Sequence, residues 1–121
     1  MFLSSFNDFH MLPFHDITDP LSFHYHLLRN KVLLIDAEIA SNEGRNHDAS
    51  SLYAGAILAS RSSRFVHEQS LACELAGFHY KKIGDLRRAG AFFEQARIGY
   101  SEWGSGVKVG SITRQIGLLR L

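Results

Sequence analysis

A pattern recurs forty positions on: Gly44, Ala49, Tyr53 and Ala56 are matched by Gly84, Ala89, Phe93 and Ala96. Before each glycine stands an apolar segment, KVLLIDAEIASNEG in one copy and LACELAGFHYKKIG in the other. After each comes a polar start, NHDAS or DLRRA, and then a further apolar stripe. A repeat of this length narrows the choice of fold sharply. A unit of two short apolar segments cannot bury its apolar face alone, so successive copies must stack into one continuous core.

The periodicity within each copy is helical. Leu86, Ala89, Phe93, Ala96, Tyr100 and Trp103 alternate spacings of three and four, which places all six on one face of a helix. Leu71, Leu75, Phe78 and Ile83 recur at helical intervals in the segment before it. The only prolines are Pro13 and Pro20, so nothing later is barred from helix. Gly44 and Gly84 suit the left-handed residue that ends a helix. Asn46, Ser63 and Asp85 read as caps of the helices that follow, with Asp48 favouring the dipole of the first turn. The spacing therefore predicts helices over 21–43, 47–61, 65–83 and 86–103, and a fifth, with a weaker pattern, from 107 to the end. This is an all-α chain: an irregular segment 1–20, then a helical-repeat domain 21–121 made of two stacked antiparallel helix pairs, 21–61 and 65–103, and a tail 104–121. Ala76, Gly77, Ala89 and Ala96 leave room for close helix approach, and Tyr80 and Phe93 are large enough to fill what remains.

Composition removes several classes of function. With 121 residues there is room for one modest core. Thirteen basic residues against twelve acidic ones give a net charge of +1, far from the basicity of a dedicated nucleic-acid binder. No run approaches the roughly 18 apolar residues of a membrane span. The N-terminal MFLSSFNDFHMLPF has no basic residue ahead of its apolar part and is interrupted by Asn7, Asp8 and His10, unlike a secretion signal. The lone Cys73 suits a reducing compartment, so the expected location is the cytosol.

Motifs that could carry chemistry fail on spacing. His67-Glu68 resembles the start of a zinc-protease helix, but the second histidine required four positions on is Leu71. His24 and His26 diverge on a helix, and His10 with His15 supply only two ligands. The other histidines, His47 and His79, stand apart in sequence. WGSGVKVGS lacks the strand, the Gly-Lys-Ser/Thr ending and the spacing of a phosphate loop, so Gly104 and Gly106 read as the end of the fourth helix. Cys73 lies on a mostly apolar helix and reads as a packing residue. No nucleophile elbow is present. No cofactor and no metal are expected, and the chain reads as non-enzymatic.

The second copy resembles the tetratricopeptide repeat, with Gly77 and Tyr80 on its first helix, Gly84 at the turn, and Ala89, Phe93 and Ala96 on its second. The first copy carries Ala37, Gly44, Ala49, Tyr53 and Ala56, but Ala40 stands where a large aromatic is expected, and the period exceeds the usual repeat of about 34 residues. Across about residues 24–110 the chain also resembles one segment of large multidomain signalling proteins, the hybrid sensor and "multi-sensor" histidine kinases. That likeness rests on Ala37-Glu38, Gly44, Tyr53-x-x-Ala56-Ile57, Phe65-Val66-His67-Glu68, Leu71-Ala72, Glu74, Ala76 and Tyr80. It continues through Gly84, Ala89, Ala96, Tyr100 and Trp103-Gly104 to Lys108-Val109. The resemblance implies a connector or scaffold piece, standing alone or broken from a larger kinase, since none of the catalytic modules of that family is in this chain.

The kinase resemblance raises a phospho-acceptor reading of His67. The family motif continues with an aliphatic residue, a basic one, a small polar one and a proline, whereas Gln69, Ser70, Leu71 and Ala72 follow Glu68 here. The simpler reading places His67 and Glu68 in a first helical turn, where the carboxylate favours the dipole. In repeats of the resembled type the first helix of each pair lines an inner groove. That resemblance assigns Lys31, Leu34, Glu38, Glu74, Phe78, Lys81 and Lys82 to contact with a protein partner. Lys81, Lys82, Arg87 and Arg88 also flank the Gly84 turn as a local basic cluster. Phe2, Phe6, Phe9 and Phe14 have two readings, a cap over the first helix pair or a contact for another chain. The expectation is thus a non-catalytic helical-repeat module that binds protein, with self-association through exposed helix-pair ends. The alternatives are a fragment of an active hybrid sensor histidine kinase and a fragment without function.

Overall fold

A computed structural model describes residues 20–63 and 65–119, and within them the chain is five α-helices. These are α1 (Pro20–Asn42), α2 (Asn46–Ser62), α3 (Val66–Lys82), α4 (Leu86–Trp103) and α5 (Gly106–Leu118). No described residue is in a strand. The expected irregular segment falls almost wholly on 1–19, with Phe2, Phe6, Phe9 and Phe14, and these lie outside the described residues. The described part of α1 begins at Pro20.

The three glycine turns are built alike. Gly44, Gly84 and Gly104 take φ of 78°, 87° and 91°, left-handed values open to glycine at little cost. After each, the next amide reaches back over the turn: Arg45 to the Ala40 carbonyl, Asp85 to Tyr80 and Ser105 to Tyr100, each at 2.9 Å. The helix-ending carbonyls are thereby satisfied and the chain reverses within a few residues. Asp85 caps α4 as read from sequence, its carboxylate accepting from the Arg88 amide at 3.2 Å.

Three boundary expectations are corrected. Asn46 is the first residue of α2 rather than its cap, and Arg45 precedes it, its guanidinium paired with Glu43 and Asp48. Ser63 ends α2 instead of capping α3, whose preceding residue is Phe65. Gly106 opens α5 rather than closing α4, because Gly104 alone completes the turn. The long period has a simple origin. From Asn46 to Leu86 the chain spends two helices of 17 residues each, α2 and α3, with a tight turn after each. Longer helices, not wider turns, stretch the repeat.

α1 packs on α2, α3 on α4, α2 on α3, and α5 on α4, so the pairs stack in chain order with the tail as a final layer. The core runs through them as Leu33, Ala37 and Ala40, then Ala49, Tyr53 and Ala56, then Ala72, Cys73 and Ala76, then Ala89, Phe93, Ala96 and Tyr100, ending on Ile112. Small residues on facing helices let backbones approach. A methyl group at Gly77 would lie 2.6 Å from the Phe93 ring, and one at Gly99 would lie 2.0 Å from Ser70 Oγ. Tyr80 stacks on Phe92 with ring centroids 5.4 Å apart, where the first copy has the fully buried Ala40.

Two apolar stripes behave differently from expectation. In α4 the central residues Ala89, Phe93, Ala96 and Tyr100 are fully buried, but Leu86 and Trp103, near its two ends, are about half exposed. In α3 the residues chosen by spacing are not the core: Leu71 and Leu75 are half-buried, while Phe78 and Ile83 are exposed. The helix instead buries Ser70, Cys73, Gly77 and His79 with Ala72, Glu74, Ala76 and Tyr80. It lies between α2 and α4, and a helix covered on two sides shows no single apolar stripe.

Candidate functional site

The residues expected to line an inner groove are largely engaged in joining helices. Lys31 reaches Glu68 of α3 at 3.4 Å, a half-exposed pair of the kind that adds little stability. Leu34 is buried in the core. Glu38 accepts the hydroxyl hydrogen of Tyr53, tying α1 to α2. Phe78 meets Phe93 edge-on, centroids 5.1 Å apart. Lys81 donates to Gln115 of α5 at 2.9 Å. The basic residues around Gly84 therefore do not act as one patch: Lys81 and Lys82 turn toward different neighbours, and Arg88 lies 5.8 Å over the Tyr80 ring.

Glu74 is the most enclosed of the set. Its carboxylate accepts from the Tyr100 hydroxyl at 2.8 Å and from Lys108 Nζ at 2.9 and 3.1 Å. Burial, then the carboxylate it donates to, raise the Tyr100 hydroxyl well above the usual tyrosine range. Lys108 also sits 5.2 Å over the Tyr100 ring. A buried carboxylate is costly unless its oxygens are satisfied, and here three contacts from two helices satisfy them. The arrangement fixes α5 on α3 and α4.

A second polar cluster, not anticipated from sequence, joins the ends of α1 and α3. Lys82 Nζ donates to the Ser41 carbonyl at 3.0 Å and to Ser41 Oγ at 2.7 Å. Ser41 Oγ is also hydrogen-bonded to His79 Nδ1, 2.8 Å away, in a direction set by the tautomer of the ring. The other ring nitrogen, Nε2, is buried with no hydrogen-bond partner among the described residues. Burial, and behind it the Lys82 ammonium, hold this imidazole below the usual histidine range, against a smaller opposing pull from Glu38. Ser41 and His79 are hydrogen-bonded neighbours, but both are buried, and the cavity described below does not reach them. Neither residue recurs at its forty-residue partner position, so no repeat signal could have found the pair.

Cys73 is buried, its thiol facing Gln95 Oε1 at 3.7 Å, and burial pushes it up to about 11. His67 is exposed on the first turn of α3 and leans against Trp103, centroids 4.3 Å apart. Among the described residues no three His, Cys, Asp or Glu side chains gather to hold a metal ion. No helix among them is long and apolar enough to cross a membrane.

A concave surface lies along the first helix pair. A groove of about 620 Å³ runs between α1 and α2, floored by Leu33, Leu52 and Gly55 and walled by Ile39 and Leu58. Asp36, Arg45, His47 and Asp48 rim it. An apolar floor with a charged rim fits contact with another polypeptide better than chemistry on a small polar substrate. Comparison with family models, with curated proteins and with solved structures finds no match for the chain.

Proposed function

We propose that this chain is a non-catalytic helical-repeat module that mediates protein–protein contact, similar to the connector segment of a multidomain signalling kinase. One observation carries the reading: among the described residues the groove between α1 and α2 is apolar and edged with charge, while the enclosed polar groups serve to join helices. The buried, unpaired thiol of Cys73 fits a reducing compartment such as the cytosol.

The experiment has two arms. The purified chain is incubated with magnesium and ATP labelled on its γ-phosphate; no label should enter the protein, and incorporation at His67 would overturn the non-catalytic reading. In the second arm the chain is titrated with isolated kinase and ATPase-like modules of a multi-sensor kinase. Binding that is lost in Ile39→Asp/Leu58→Asp, with the helical circular dichroism retained, supports a connector. Binding to none of the modules overturns it.

A further inference from the structure

Polar side chains from three helices meet where the C-terminal ends of α1 and α3 lie together. Ser41 Oγ accepts from Lys82 Nζ at 2.7 Å and is hydrogen-bonded to His79 Nδ1 at 2.8 Å. Lys82 Nζ also donates to the Ser41 carbonyl, so one serine of α1 holds two residues of α3. Glu38, a turn earlier on α1, accepts from the Tyr53 hydroxyl of α2. The Tyr53 and His79 ring centroids are 5.4 Å apart. Tyr80 adjoins the imidazole from α3 itself at 5.1 Å, and from α4 Arg88 lies over the Tyr80 ring.

A second proton on His79 is incompatible with this arrangement, whichever nitrogen carries the first. A charged imidazole donates from both nitrogens and accepts at neither. Nε2 is buried and has no partner among the described residues, so its hydrogen would be left unmet. Nδ1 would direct its hydrogen at an oxygen that already accepts from an ammonium, and two cations would share one hydroxyl. Burial first, then the Lys82 ammonium, hold the ring below the usual histidine range, and Glu38 acts the other way. The Tyr53 hydroxyl, raised by burial and by Glu38 well above the usual tyrosine range, stays neutral throughout. A buried charge without its hydrogen bonds is relieved by contact with water, which here requires the two helix ends to part.

We infer that Ser41, His79 and Lys82 form an acid-released latch, in which protonation of His79 lifts the C-terminal end of α1 from α3 while α3 and α4 stay packed. The contact of Gly77 with Phe93 that joins α3 to α4 is apolar and does not titrate. Ile39 and Arg45 line the α1–α2 groove and stand two residues before Ser41 and four after it, so release reshapes one end of that groove. The latch holds whatever the groove binds and does not rest on the protein-contact reading.

Linkage sets its direction. The lifted form binds the proton more readily, so release grows as pH falls below the ordinary histidine value of about 6.5, by at most about tenfold per pH unit. Ala40, beside Ser41, is fully buried, and in Ala40→Cys the introduced thiol reports the lifted form. Cys73, buried on α3 and facing Gln95 of α4, is the reference within the same chain. Both are labelled with a pyridyl disulfide between about pH 7.5 and about pH 5.5, each rate divided by that of a free thiol at the same pH. The corrected rate at position 40 should rise toward acid and outrun that of Cys73. His79→Asn in the same background should abolish the rise, and Lys82→Met, which removes the second cation, should shrink it. Hydrogen exchange of the unsubstituted chain, compared between 37–45 and 89–100, reads the same contrast without the reporter. Equal rates for the two thiols, a rate at position 40 that ignores pH, a rise that survives His79→Asn or a rise undiminished in Lys82→Met would each overturn the latch.

Discussion

Gly77 and Phe93 meet so closely that no side chain fits between them: a Cβ on the glycine would stand 2.6 Å from two ring carbons. The ring cannot retreat, because Phe93 is fully buried and Phe78 packs against its edge. This contact sets the separation of α3 and α4, the most extensive helix interface among the described residues. Gly77→Ala gains about 1 kcal/mol in helix propensity and meets an overpacking cost of about 1–3 kcal/mol. The net expectation is a loss of stability, read as a lower urea midpoint. Gly110→Ala, on α5 with nothing within 4 Å of its Cβ, should move the midpoint the other way.

Ile112 is the one fully buried residue of α5. Ile112→Ala should cost about 2–5 kcal/mol if the tail is part of the cooperative core. A variant that melts like the native chain would show that α5 docks independently.

The Glu74–Lys108 contact adds a polar anchor to the same helix. Glu74→Gln keeps an acceptor for Tyr100 and loses the charge pair, whereas Glu74→Ala also strands the tyrosine hydroxyl. The alanine variant should be the less stable. In a double-mutant cycle, Glu74→Gln with Lys108→Met should show a coupling of about 1 kcal/mol.

His79 predicts a pH dependence. Its folded-state pKa is lowered, so the unfolded chain binds the proton more readily. The contribution is fully present above the unfolded histidine value of about 6.5 and is lost as pH falls from there through the folded value. Stability measured by urea titration should therefore decline below neutrality, and His79→Asn, which keeps a polar partner for Ser41, should flatten that decline.

Cys73 should resist thiol reagents. A buried thiol raised to about 11 carries almost no thiolate at neutral pH. Labelling with an aromatic disulfide should be negligible in the native chain and complete in urea. Fast native labelling would show that α3 and α4 part in solution.

Much of the fold is legible in the residues themselves. Spacings of three and four can only bring Ala89, Phe93, Ala96 and Tyr100 together on a helix, and glycines at 44, 84 and 104 mark where the chain can turn left-handed. Those are local constraints, set by the 3.6-residue turn and by sterics at Cβ. The candidate site was less legible. Lys31, Glu38, Glu74, Lys81 and Lys82 are charged residues on the right helices, but whether such a side chain meets a ligand or a neighbouring helix depends on groups distant in sequence. Ser41 with His79, and Ser70 with Gly99, carry no repeat signature at all.

By itself, then, the sequence determined helices, turns and the stacking of pairs, because periodicity and glycine sterics act within a few residues. Tertiary structure decided which stripe of each helix is core. α1 offers two apolar stripes of equal period, and α3 is covered on both sides; neither case can be resolved from the helix alone. Burial is a property of what packs alongside, and for α1 that packing buried the more polar face and left Leu28, Val32 and Ile35 outside.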